Sequence, residues 1–188
     1  MVKRFLIFVI AVAIFLSTTI SVKAQVAKVS PTPMPTIVQY NLAYPGILPD
    51  NKSYKLKVLR DKISLALISN PQKKIEFLLL QTDKGILATA MLIDKGEVDL
   101  AQQTALKAEN NYTLIPQVLF QFTKQPDQSF FDKLKTASLK HQEVLNSIVK
   151  RVPAQKQLVF KQVIEFSKRN YSTILKERSD MWSKHYAN

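Results

Sequence analysis

Few residues in this chain of 188 are equipped for chemistry. There is no cysteine, and the two histidines, His141 and His185, stand 44 positions apart. Neither has a second histidine or a pair of acids at helical spacing, so no metal pair and no base-with-nucleophile arrangement is spelled out. His141 falls on the apolar stripe of a helix, where a core or boundary histidine satisfied by a neighbour is the expectation. His185 lies in the C-terminal tail, expected to fray. Asp94, Glu97 and Asp99 cluster around Gly96. They offer a weak divalent-cation site, though Glu97 and Asp99 at the start of a helix are better explained by its macrodipole. No glycine loop of the phosphate-cradling kind is present. The residues therefore assign no catalytic, cofactor-binding or metal role, and an enzyme is not the expectation.

Charge is the global feature with functional content. Lys and Arg number 27 against 14 acids, a net charge of +13. From Pro126 to Asn188 there are 12 basic residues against 6 acids, so the C-terminal third is especially basic. A solvated, soluble face accounts for such a surface as well as the sharper expectation does, which is attraction to an anionic envelope polymer, an acidic lipid surface or extracellular nucleic acid. Nucleic acid is disfavoured, because basic residues interleaved with aromatics appear only faintly, in Tyr171, Trp182 and Tyr186 near Lys168-Arg169 and Lys184. The triplets beginning at Asn51, Asn111 and Asn170 match the glycosylation sequon and are short enough to be incidental.

The N-terminus says where this charge would act. Lys3 and Arg4 precede an unbroken apolar run from Phe5 to Leu16, and Val22-Lys23-Ala24 closes the segment with a small residue. Basic start, apolar middle and small-residue exit make residues 1–24 a secretory signal, with a cut ahead of Gln25. The alternative is a retained anchor, since the 18 uncharged residues from Phe5 to Val22 just reach the length of a span. Cleavage removes Lys3, Arg4 and Lys23 and lowers the net charge to +10. Residues 25–43 read as a tether, because Pro31, Pro33 and Pro35 forbid helix and favour an extended chain. An exported chain without cysteine must be held by packing alone.

Behind that tether, residues 44–188 read as one helical domain. Three glycines in the whole chain argue against a turn-rich β fold. Tyr44-Pro45-Gly46-Ile47-Leu48-Pro49 predicts a turn whose apolar residues tuck under a first helix, capped by Asn51 or Ser53 and running to about Ser69. Its stripe is Leu56, Leu59, Ile63 and Leu67. Asn70-Pro71 starts a second helix to about Lys95, with apolar residues on two sides that predict a central position, and Gly96 stops it. The third carries Val98, Ala101, Ala105, Ala108, Tyr112, Ile115, Leu119 and Phe122, a seam whose alanines admit a close neighbour or a second copy. Pro116 is expected to kink or split it. Ser129-Phe130-Phe131-Asp132 resembles a capping box opening a fourth helix with Leu134, Ser138, His141, Leu145, Ile148 and Val152. Pro153 opens a fifth, with Val159, Val163, Phe166 and Ile174, ending near Trp182.

The turn Pro45-Gly46-Ile47-Leu48-Pro49-Asp50-Asn51, the run from Tyr54 to Ile63, and Asn70-Pro71-Gln72-Lys73-Lys74-Ile75-Glu76 resemble domain of unknown function 5667, a family of exported prokaryotic helical proteins. Leu92-Ile93-Asp94-Lys95-Gly96-Glu97 is similar to that family's helix–glycine–helix joint. The resemblance runs from about Tyr44 to Tyr112. The chain departs from the family at Gln81-Thr82-Asp83-Lys84-Gly85, which is less charged and contains a helix-weakening glycine. The resemblance implies a helical exported domain and carries over no functional residue.

The expectation is therefore an all-α antiparallel bundle of about five helices, family-like over 44–125 with C-terminal helices over 126–188. It acts at the cell surface or outside the cell as a non-catalytic binder of an anionic envelope component or a protein partner. The competing expectation is a metal-binding or enzymatic envelope-stress protein using the acids near Gly96. The sequence leaves the oligomeric state open.

Overall fold

The computed structural model describes residues 37–122, 124 and 126–186. The signal segment and residues 25–36 of the tether lie outside the described residues, as do the side chains of Trp182, Lys184, His185 and Tyr186. Ile37–Asn188 forms one compact unit. Among the described residues there are five α-helices and no strand. They are α1 (Tyr54–Leu67), α2 (Pro71–Asp94), α3 (Val98–Leu119), α4 (Gln128–Arg151) and α5 (Gln157–Tyr186), with a 3₁₀ turn at Ala154–Lys156. The helical bundle expected from the sequence is what forms.

Local chemistry sets the boundaries. The Asn70 side chain accepts a hydrogen bond from the Lys73 backbone N–H at 3.0 Å, and Pro71 occupies the first helical position. At the other end of α2, Gly96 adopts φ 79°, a left-handed conformation natural to glycine. The Gly96 N–H then reaches the Ile93 carbonyl and the Glu97 N–H reaches Leu92, satisfying carbonyls the helix would otherwise leave free. Ahead of α1, Asn51 Oδ1 accepts from the Ser53 N–H, so Asn51 shapes the turn while Ser53 stands at the cap position.

Two expectations about boundaries are corrected. The capping box at Ser129 does not form. Asp127 is the cap residue, α4 already includes Ser129, and Asp132 instead accepts from the Gln128 side chain. Pro116 does not split α3, which continues to Leu119.

Helices α2 to α5 make a four-helix bundle in which α2 packs on α3 and α4, and α5 packs on α3 and α4. Residue pairings give the directions. Asp83 meets His141 and Asp94 meets Arg151, so α2 and α4 run parallel. Asp99 meets Lys156 and Glu109 meets Asn170, so the chain from the 3₁₀ turn into α5 runs parallel to α3. The sequence-adjacent pairs α2–α3 and α4–α5 are antiparallel. Helices α3 and α4 face each other diagonally.

The expected stripes of α3 and α4 are where the core is. Ala101, Ala105, Tyr112, Ile115, Leu134, Leu145 and Ile148 are buried. The alanine seam is consumed inside the bundle, which corrects its reading as a contact for a second copy. A Cβ placed on Gly85 would stand 2.5 Å from Ala108 Cβ, so the glycine lets α2 and α3 approach at that point. In α5, Val163 and Ile174 are buried as expected, whereas Phe166 lies outward and Phe160 and Ile164 take the inner positions.

Candidate functional site

Two apolar clusters fill the bundle. One gathers Ile75, Leu79, Tyr112, Ile115, Leu134 and Ile174; the other gathers Ile86, Ala105, Leu145, Ile148, Phe160 and Val163. Between them in sequence on each of α2 to α5 lie buried polar residues, Thr82 and Asp83, Glu109, Ser138 and His141, and Ser167. The core thus has a polar waist.

His141 is its centre and is fully buried. Its Nε2 lies 2.7 Å from Asp83 Oδ1, and the other oxygen of Asp83 accepts from the Tyr40 hydroxyl at 2.7 Å. The Tyr112 ring meets the imidazole edge-on at 5.7 Å, while the Tyr112 hydroxyl donates to the Leu134 carbonyl at 2.9 Å. Burial, reinforced by the Asp83 carboxylate, raises the Tyr40 pKa and keeps its hydroxyl a donor. One residue pair upstream, the Val38 N–H donates to Glu143 Oε2 at 2.7 Å. Together these bonds fasten residues 38–40 across α2 and α4. His141 Nδ1 meets no hydrogen-bond partner among the described residues. With no exposed surface the imidazole is out of a substrate's reach, and the triad acts as a structural clasp.

Glu109 forms the second half of the waist. Its Oε1 accepts from the Asn170 amide at 2.7 Å, and that amide also reaches Thr113 Oγ1 at 2.8 Å. Its Oε2 has no partner among the described residues. Burial pushes the carboxyl up to about 8, opposed by the Asn170 bond. Asn170 is thereby committed to structure, which accounts for one of the sequons.

The acids near Gly96 take different partners. Asp94 pairs with Arg151 and Asp99 with Lys156, stapling the helix joint to the α4–α5 corner. Glu97 is exposed and makes no side-chain cap. Among the described residues no group of three or more His, Cys, Asp or Glu is placed to hold a metal ion.

The open surface of the molecule is at α1. Its inward face is mixed: Tyr54, Lys57, Val58, Asp61, Ser64 and Leu65 are half-buried. Between this face and α2–α3 runs a groove of about 550 Å³, bordered by Phe77, Lys84, Ala88, Thr104 and Asn111. The expected stripe, Leu56, Leu59, Ile63 and Leu67, shares one face of α1, and that face meets solvent. Tyr44 and Ile47 are also exposed, whereas Pro45 and Leu48 anchor the turn, so only part of that loop tucks in as expected. No described helix is long and apolar enough to cross a membrane.

Asp83, Glu109 and Tyr40 were not singled out as site residues by sequence. Asp83 carried a signal, since it interrupts the apolar pattern of α2 within the segment that departs from the family resemblance. Tyr40 carried none, being a long-range partner in an irregular segment.

Among known families, the profile of a domain of unknown function, DUF5667, matches residues 46–155, more than half of the chain. That span begins at the Gly46 turn and runs through α4, well beyond the stretch whose motifs suggested it. Neither a curated protein nor a solved structure matches the chain.

Proposed function

The chain belongs to the DUF5667 family, and we propose that it is an exported, non-catalytic helical domain that binds an anionic envelope component or a protein partner at the cell surface. The net charge of +13, still +10 without the leader, carries this reading. Lys133, Lys135, Lys161 and Lys176 stand exposed on α4 and α5, available to an acidic partner. The burial of His141 also favours a binding role over catalysis, because the waist offers a substrate no approach.

Co-sedimentation with isolated cell envelopes across a salt series tests the proposal. Binding should fall steeply as the Debye length shrinks from about 10 Å at 0.1 M salt to about 3 Å at 1 M. Absent or salt-insensitive binding would overturn it. A metal-binding role through Asp94, Glu97 and Asp99 would have to displace Arg151 and Lys156 from their carboxylates. Calorimetry with Ca²⁺, Mg²⁺ and Zn²⁺ separates the two readings.

A further inference from the structure

The outward face of α1 combines two properties that seldom coincide on an idle surface. Leu56, Leu59, Ile63 and Leu67 are 70, 56, 52 and 76 % exposed. At 100° per residue they fall within an arc of about 80°, a continuous apolar stripe. Tyr44 and Ile47 extend it, since both share one surface groove with Leu56 and Arg60. Lys55 and Lys62 flank the stripe on one side and Arg60 on the other, with Lys52 at its N-terminal end. The helix contains a single acid, Asp61, which is turned inward and paired with Lys57 at 3.9 Å and Arg60 at 2.7 Å. The outward face is thus apolar and cationic, with no carboxylate on it.

We infer that this face docks on a membrane surface containing anionic lipid. The apolar stripe lies at the boundary of headgroups and acyl chains, and the flanking lysines lie against the headgroups. The inference rests on the exported, anion-binding reading above and names the surface that reading requires. At 14 residues α1 is about 20 Å long and too charged to span, so it lies in the plane. Tyr44 at the edge of the patch is of the residue type that favours the membrane–water interface. A second copy is a poorer occupant, because pairing two such faces would bring their lysines together without a compensating acid. The apolar run at residues 5–16 supplies the proximity, since export brings this chain to a membrane whether or not the run is retained.

The test uses the chain from Gln25, which omits that run and keeps the whole compact unit. It is co-sedimented with vesicles of phosphatidylcholine alone and with vesicles containing phosphatidylglycerol, and in parallel titrated with soluble polyphosphate. The expected result is binding to the anionic vesicles, weakened at least tenfold by Leu59→Glu with Ile63→Glu, and about fivefold by each of Lys55→Gln and Lys62→Gln. Circular dichroism should be unchanged in these variants, because the side chains lie outside the core. Binding to polyphosphate without binding to vesicles would overturn the lipid inference alone, and binding to neither would overturn both it and the anionic-component form of the proposed function. Vesicle binding that ignores the Leu59→Glu, Ile63→Glu change overturns the assignment to α1. A dimer in sedimentation, abolished by the same change, would give the stripe to a second copy and overturn the inference too.

Discussion

In α3 the alanines at 101 and 105 have no exposed surface, while in α1 leucines of similar spacing stand largely in water. Both helices are amphipathic. The difference lies in what the opposite face offers. The far side of α3 is mostly polar, with Gln103, Lys107 and Asn110 exposed around Leu106, so one orientation buries most of its apolar area. In α1, Tyr54, Val58 and Leu65 form a weaker second stripe that contacts α2, leaving the stronger one free. Apolar periodicity says which residues share a face; it does not say whether the face meets the rest of the chain.

Substitutions on the two sides of this contrast should behave oppositely in urea unfolding at neutral pH. The largest loss is expected for Asp83→Ala, about 3–5 kcal/mol, because it leaves the buried His141 Nε2 and the half-buried Tyr40 hydroxyl without their shared hydrogen-bond partner. Ile115→Ala should cost about 2–5 kcal/mol, whereas Ile63→Ala should stay within about 0.5 kcal/mol. Equal losses at 115 and 63 would break the contrast. Gly85→Ala should cost about 1–3 kcal/mol, since its methyl group has to displace Ala108.

The subtlest expectation concerns pH. The Glu109 carboxyl keeps its proton to about pH 8 in the folded protein and releases it near 4.5 when unfolded. Between those values the unfolded state binds fewer protons, so this residue makes stability fall as pH rises. Glu109→Gln should flatten the decline across that window and leave the protein more stable than the wild type at pH 8. Substitutions on the outer face of α1 should leave the pH profile unchanged.

Much of the bundle was legible because its signals are local. Asn70-Pro71 and Gly96 act within a few residues, through a cap, a fixed φ and a left-handed turn. The alternating spacing of α3 needed only one solvent-facing side to be unambiguous. The clasp was half legible: His141 sits on an apolar stripe where a satisfied histidine is expected, but its partners come from 58 and 101 positions away, through Asp83 and Tyr40. Long-range pairing leaves no trace in spacing. The orientation of α1 was not legible, because two apolar stripes compete and the weaker one has the neighbour.

The bonds at Val38 and Tyr40 also determine how the molecule bears load. A pull on the chain upstream of Ile37 enters the bundle at Glu143 and Asp83, in the middle of α4 and α2. It reaches the core before the chain arrives at α1. That helix sits in a loop closed at one end by Tyr40 and Leu48 and at the other by the Asn70 cap, outside the path of the force. A domain built this way fastens residues 38–40 to α2 and α4 independently of how α1 is held.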